Sequence, residues 1–109
     1  MITRYALFEG KVHVGQEPAF RAEVMGELLP LWKKFPGATA VRVSFAVSRD
    51  TGAPEYPMIL AVCYPDVAAV DAALASPIRT EARAATEAVL SRYFSGRIHH
   101  HVMDAVDHE

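Results

Sequence analysis

The clearest pattern in the chain is the strict alternation of residues 41–48. The apolar members of this segment are Val41, Val43, Phe45 and Val47, and the intervening positions are Arg42, Ser44, Ala46 and Ser48. A period of two places each set on its own face of a β-strand. The segment therefore predicts a strand whose apolar face packs against helices and whose other face is more polar.

Three further segments predict strands. Residues 2–8 carry β-favouring side chains, and residues 12–14 extend that strand beyond Glu9-Gly10. Residues 58–64 form a continuous apolar run that follows a proline and precedes another, which is typical of a strand buried on both faces. Residues 97–106 predict the last strand, with Gly96 ending the helix before it.

Two helical regions separate these strands. The first begins at Pro18 and has an apolar stripe in which residues recur at spacings of four, four and three: Phe20, Val24, Leu28 and Leu31. Pro30 lies inside this stripe and is expected to kink the helix or to end its regular part. The second region is capped by Asp66 and restarts at Ser76-Pro77. Its later part has an apolar stripe (Ile78, Ala82, Ala85, Val89 and Phe94) and a solvated face (Arg79, Glu81, Arg83 and Glu87).

The resulting order is β-α-β-β-α-β, which predicts an α+β, ferredoxin-like domain spanning residues 1–109. Its four-stranded antiparallel sheet has both helices on one face. The other face is also largely apolar, and a patch of that size is unusual on the surface of a monomer. We therefore expect a second copy of the chain to cover it, in a homodimer with two-fold symmetry.

Composition excludes several classes of protein. The net charge is −2 and half of the residues (51%) are hydrophobic, which is ordinary for a globular domain and not for a disordered chain. The pI near 6.2 argues against a basic surface for nucleic acid. No segment has the length and hydrophobicity to span a membrane, and the N-terminal residues do not form a signal peptide. The single cysteine fits a reducing, cytoplasmic location.

Several segments resemble the dimeric α/β-barrel superfamily, and within it the EthD-like and related small monooxygenase-like proteins. They are LLPLWKKFPG at residues 28–37, the strand at 41–47, YPDVAAVDAALASPIRTEARAATEAVL at 64–90 and FSGRIHH at 94–100. The resemblance implies a dimeric barrel in which two sheets pack face to face and each subunit holds a ligand pocket. It further implies small-molecule chemistry of the cofactor-free oxygenase or isomerase type, although one fold supports many reactions.

The three consecutive histidines in the last strand are the strongest candidates for chemistry. His99 and His101 share one face of the strand, and His100 takes the other. We expect His99 and His101 to face the cleft between subunits, because only one imidazole then needs hydrogen-bond partners on the buried helix side. The alternative, with His100 in the cleft, remains open. In the cleft the imidazoles act as general acid and base, because their ordinary pKa lies near neutral pH.

The other candidate residues complete a site for an aromatic or hydroxylated ligand. Arg42 carries a permanent charge that suits an oxyanion, so it joins His99 and His101 as a catalytic candidate. Ser44, Tyr5 and Trp32 are candidate ligand-binding residues. A catalytic histidine also requires an orienting carboxylate, for which Glu9, Asp104 and Asp107 are the available suppliers.

We expect no cofactor and no metal site, because His99 and His101 provide only two ligands. The main alternative to an enzyme is a binding or accessory protein that uses the same pocket without turnover. A haem or metal protein using a strand-four histidine is a third interpretation. The sequence does not identify the substrate.

Overall fold

The computed structural model of the protein describes residues 1–108. The elements in chain order are β1 (Ile2–Val12), α1 (Glu17–Glu23), a π-helical segment (Val24–Leu28), α2 (Leu29–Trp32), β2 (Ala40–Phe45), β3 (Met58–Tyr64), α3 (Val67–Leu74), α4 (Pro77–Tyr93) and β4 (Phe94–Asp104). The predicted β-α-β-β-α-β order is therefore confirmed.

The four strands form one antiparallel sheet in the order β2-β3-β1-β4. In the centre of the sheet, Leu7 of β1 lies opposite Ile59 of β3 on one side and His99 of β4 on the other. This order and register are those of the ferredoxin-like fold, as the sequence predicts.

The hydrophobic core fills the space between one sheet face and the helices. Strand β3 alternates buried and half-buried residues along its whole length, and its buried set faces the helices. The apolar face of β2 also packs against this core through Val41, Val43 and Phe45, as predicted. Val47 is 98% exposed, contrary to prediction, because β2 ends at Phe45 and the chain leaves the sheet before reaching it.

The first helical region contains a π-helical segment that ends at Leu28, two residues before Pro30, which was expected to disturb the helix. The Leu29 N–H donates to the carbonyl of Val24, five residues back. A π turn contains one residue more than an α turn, which rotates the following residues about the helix axis. Trp32 is consequently the fully buried residue of the last turn, in place of the predicted Leu31, which is half-buried.

The boundaries around Gly96 differ from the prediction. Strand β1 continues without a break to Val12, α4 ends at Tyr93, and Gly96 lies inside β4. Gly10 and Gly96 lie opposite each other, with φ angles of 149° and 154°. A Cβ atom on Gly10 would lie 2.1 Å from the Ser95 carbonyl oxygen, and one on Gly96 would lie 2.0 Å from that of Glu9. Gly96 thus permits a close strand approach and does not end the helix.

The second helical region begins as predicted. The Asp66 carboxylate accepts a hydrogen bond from the Ala69 N–H at 2.8 Å and caps α3. Helix α4 starts at Pro77, but the Ser76 hydroxyl donates to the Ala73 carbonyl at 2.6 Å and does not cap it. Within residues 1–108, no helix is both long enough and apolar enough to cross a membrane.

Candidate functional site

The sheet face opposite the helices, here called the open face, carries most of the predicted site residues. Alternation and register give its members on each strand. They are Arg42 and Ser44 on β2; Ile59, Ala61 and Cys63 on β3; Thr3, Tyr5, Leu7 and Glu9 on β1; and Arg97, His99, His101 and Met103 on β4. Its centre is apolar and half-buried, and its polar side chains lie mainly on the two edge strands.

His99 has an orienting carboxylate on this face. Its Nε2 lies 2.6 Å from Oε1 of Glu9, one of the three suppliers considered from the sequence. The same carboxylate oxygen lies 3.3 Å from Nε of Arg97. The hydrogen bond with His99, aided by that of Arg97, lowers the pKa of Glu9, so the carboxylate is ionised at neutral pH.

The open face brings some of the predicted residues together and separates others. Tyr5 lies directly opposite His101. Arg42 belongs to the same cross-strand row, but β3 and β1 lie between it and His101. Three strand spacings amount to roughly 14 Å. Ser44 is likewise three strands away from His99, so Arg42 and Ser44 do not lie beside the histidines of the same chain.

Trp32 does not belong to the open face. It lines a cavity of ≈ 520 Å³ on the opposite side of the sheet, between the strands and α4, here called the helix-side cavity. The interior is apolar and rich in aromatic rings. It is lined by Ala6, Phe8, Trp32, Phe35, Leu60, Val62, Tyr64, Leu74, Ala82, Leu90 and Ile98, with Thr86 as a polar member. This volume suits a small organic ligand.

The same cavity has a strongly positive lining. Three arginines contribute their charge to it, namely Arg4, Arg79 and Arg83, against one carboxylate, Glu87. Arg97 also borders the cavity, but its guanidinium pairs with Glu9 on the open face. The whole chain has a net charge of −2, so the excess of positive charge is a local property of this cavity. Such an arrangement attracts anions.

His100 is the histidine that lines this cavity, since it shares the helix side of β4 with Ile98. Partial burial, together with the positive charges of Arg4, Arg79 and Arg83, lowers the pKa of His100 to about 4. The imidazole is therefore neutral at pH 7 and able to accept a proton. Sequence reasoning left His100 as the alternative to His99 and His101; the structure places it at the helix-side cavity.

Tyr64 adds a protonated phenol to the cavity. The residue is 2% exposed, and burial raises the pKa of its hydroxyl against the opposing effect of the nearby Arg4. The cavity thus combines a neutral imidazole, a neutral phenol and several guanidinium groups around an apolar interior.

Sequence reasoning missed the arginines of this cavity. Arg79 and Arg83 were assigned to the solvated face of α4, and Arg83 forms an i,i+4 pair with Glu87 on that helix, at 3.2 Å. Arg4 was not singled out. The available signal was its position: Arg4 alternates with Ala6 and Phe8, which places a charged residue on the buried side of a central strand.

A second cavity, of ≈ 550 Å³, lies between α1 and the loop that follows β2. Its arginines already have partners. Arg49 pairs with Glu55 at 3.5 Å, and the Arg21 guanidinium lies 4.3 Å above the Phe45 ring. Its lining therefore offers less free charge to a ligand than the helix-side cavity.

Metal ligands are not clustered in the described part of the chain. Residues 1–108 contain no group of three or more His, Cys, Asp and Glu side chains arranged to hold a metal ion. Cys63 is a free thiol, half-buried on the open face, with its Sγ 3.6 Å from the Thr3 hydroxyl.

Comparison with solved structures identifies the same fold in several proteins of low sequence identity. An EthD family protein from Bacillus halodurans matches with a TM-score of 0.78 and 16% identity, covering 97% of this chain and 99% of that one. A dimeric protein of unknown function and ferredoxin-like fold from Bacteroides fragilis matches at 0.65 and 12% identity, over 95% of each chain. SnoaB, a cofactor-independent oxygenase from Streptomyces nogalater, matches at 0.64 and 19% identity, over 98% and 94%.

These matches confirm the resemblance seen in the sequence at the level of fold. Known structures that share the ferredoxin-like arrangement include an EthD family protein and antibiotic biosynthesis monooxygenases. The chain matches no model of a known protein family, and no curated protein matches it.

Proposed function

We propose that the protein binds a small, largely aromatic organic molecule in the helix-side cavity and transfers a proton on it, with His100 as the general base. The observation that carries this proposal is the cavity itself. It combines an apolar interior of ≈ 520 Å³ with a neutral imidazole and guanidinium groups in one lining.

The chemistry requires no group beyond these side chains. His100 accepts a proton from a phenol, or from the carbon next to a carbonyl, and the ligand becomes an oxyanion. The guanidinium groups of Arg4 and Arg79 stabilise the new negative charge. That charge in turn raises the pKa of His100, so the imidazole becomes a stronger base as the reaction proceeds. Cofactor-free oxygenation and isomerisation both begin from such an anion.

The proposal includes a homodimer in which two open faces pack together. The half-buried centre of that face, with Leu7, Ile59 and Ala61, offers an apolar surface to a second copy. The Bacteroides fragilis protein of the same fold is described as dimeric. In this arrangement the helix-side cavity stays accessible in each subunit. A cytoplasmic location belongs to the same proposal and is supported by the single free cysteine.

A second candidate places the base on the open face. The 2.6 Å hydrogen bond between Glu9 and His99 favours it, because a carboxylate that holds an imidazole in one orientation is the usual partner of a histidine base. Tyr5 and His101 lie beside this pair. In this alternative the ligand lies between the two sheets of the dimer, as expected from the sequence.

Hydrogen exchange at carbon distinguishes the two candidates. The probe is 2-tetralone, a bicyclic ketone with acidic hydrogens next to its carbonyl, incubated in D₂O with the wild-type protein, His100→Gln, His99→Gln or His101→Gln. We expect the wild type to accelerate exchange, His100→Gln to lose at least 90% of the acceleration, and the other two variants to retain it. The readout is the loss of the ¹H NMR signals.

Loss of the acceleration in His99→Gln, with retention in His100→Gln, would assign the base to the open face. Binding of the probe without acceleration by any of the four proteins would identify a non-catalytic binding protein. Haem or metal binding has a separate test, since the purified protein would then show a visible absorption band or added mass in a native mass spectrum.

A further inference from the structure

Two of the arginines in the helix-side cavity have no carboxylate partner within residues 1–108. No Asp or Glu oxygen of that part of the chain lies within 4.0 Å of Arg4 or Arg79. By contrast, the other two cavity arginines are paired, Arg83 with Glu87 and Arg97 with Glu9. Arg4 and Arg79 thus contribute uncompensated positive charge to the same lining.

The positions of these two arginines are unfavourable for the folded protein alone. Arg4 lies on the helix side of a central strand, between Val62 and Val102 in the cross-strand register. Burial and the charge of Arg79 both lower the pKa of its guanidinium, which means that the charged form is destabilised there. Removing a charge from water without a partner is costly.

Arg79 is also placed against the local helix dipole. It occupies the first turn of α4, where the partial positive charge of the helix end favours acidic side chains. The first turn of α4 contains no acidic residue. Two guanidinium groups and a helix N-terminus therefore contribute positive charge to the lining of one cavity.

We propose that Arg4 and Arg79 form a carboxylate-binding subsite in the helix-side cavity, and that the physiological ligand is an aromatic or alicyclic carboxylic acid. This inference rests on the proposed function and adds the class of ligand. The ring occupies the apolar interior next to Trp32, and the carboxylate receives hydrogen bonds from the two guanidinium groups, which match its geometry.

A pair of probes that differ only in charge tests this subsite. 2-Naphthoate carries the carboxylate, and 2-naphthamide has the same shape without the charge. Isothermal titration measures the Kd of each for the wild type, Arg4→Gln, Arg79→Gln and the control Arg92→Gln. Arg92 is also on α4 but does not line the cavity, and it pairs with Glu23 at 3.7 Å. Arg79→Lys retains the positive charge but lacks the planar guanidinium group that can donate two hydrogen bonds to one carboxylate.

We expect the wild type to bind 2-naphthoate at least tenfold more tightly than 2-naphthamide. Arg4→Gln and Arg79→Gln should each raise the Kd of 2-naphthoate at least tenfold and leave the Kd of 2-naphthamide unchanged. Arg79→Lys should lose less affinity for 2-naphthoate than Arg79→Gln does. Arg92→Gln should bind both probes as the wild type does. Rising salt should weaken only the charged probe. Far-UV circular dichroism of each variant verifies its fold.

The failures of the two proposals give different results. Equal binding of both probes by the wild type, or unchanged 2-naphthoate binding by both glutamine variants, overturns the carboxylate subsite and leaves the cavity as a site for neutral ligands. Absence of binding of either probe to the wild type overturns the cavity as the ligand site, and the subsite with it.

Discussion

Glu9 and His99 share a short hydrogen bond, 2.6 Å between Oε1 and Nε2, on the sheet face that the helices leave uncovered. The next residue, His100, points to the other side of the same strand and lines the helix-side cavity. Adjacent histidines on β4 therefore lie in two different environments. One has a carboxylate partner, and the other lies among guanidinium groups.

The first prediction concerns the Glu9 carboxylate. Because the hydrogen bond with His99 is the largest cause of its lowered pKa, His99→Ala should raise the pKa of Glu9 toward its ordinary value. Arg97→Gln should raise it less, since Arg97 makes the smaller contribution. Carboxyl ¹³C chemical shifts recorded against pH measure both effects. An unchanged Glu9 titration in His99→Ala would show that the hydrogen bond does not form in solution.

The second prediction concerns His100 and the pH dependence of stability. Its pKa is about 4 in the folded protein and near 6.5 in the unfolded chain. As the pH falls below about 6.5 the unfolded chain takes up the proton first, so His100 progressively destabilises the fold until about pH 4. Above pH 7 both states are neutral and the group has no effect.

His100→Gln should therefore lose less stability than the wild type between pH 7 and pH 4. Urea unfolding at a series of pH values measures this difference. His108→Gln serves as the control, because His108 is exposed and lies outside the sheet. Parallel stability curves for the wild type and His100→Gln would contradict the lowered pKa.

The fold was predictable because it depends on patterns that are local in the chain. Alternation in β2, the proline-bounded run of β3 and the Asp66 cap each specify an element, and the order of elements specifies the sheet. The exact strand limits were not predictable. A glycine that follows a helical stripe, as Gly96 does, usually signals the end of the helix. Only the pairing of Gly96 with Gly10 across the sheet shows that it belongs to a strand.

The site was less predictable, because its members come from distant parts of the chain. Arg4, Arg79 and His100 belong to β1, α4 and β4 and meet only in the folded protein. The helical periodicity of the sequence is the same for a solvated arginine and for one that lines a cavity, so it does not distinguish them. The alternation of β4 did separate His100 from His99 and His101, but it could not show which side of the sheet holds the cavity with the arginines.

The third prediction tests the close strand approach. Gly10→Ala and Gly96→Ala each place a Cβ near 2 Å from a backbone oxygen, at φ angles that L residues rarely adopt. Each should reduce the free energy of unfolding by about 2 kcal/mol or more. Gly26→Ala is the control: no atom lies within 4 Å of its added Cβ, and it should be neutral or stabilise by up to about 1 kcal/mol. Equal stability of all three variants in urea unfolding would contradict this account of β1 and β4.

The fourth prediction tests the homodimer. The wild type should sediment at twice 12.0 kDa. Ile59→Asp places a carboxylate in the apolar centre of the open face and should give folded monomers, because burying an unpaired charge at an interface is costly. Ala84→Asp, on an exposed position of α4, should remain dimeric. A wild type that sediments as a monomer at high concentration would contradict the proposed packing.

The most direct test of the central claim is to map where a ligand binds. Two-dimensional ¹H–¹⁵N NMR spectra recorded during titration with 2-naphthoate report on both faces of the sheet at once. The account predicts shifts of the Trp32 indole N–H, the only indole in the chain, and of the amides of Thr86, Ile98 and His100. Shifts confined to the open face, at Tyr5, Leu7 and Ala61, would contradict the helix-side cavity as the ligand site.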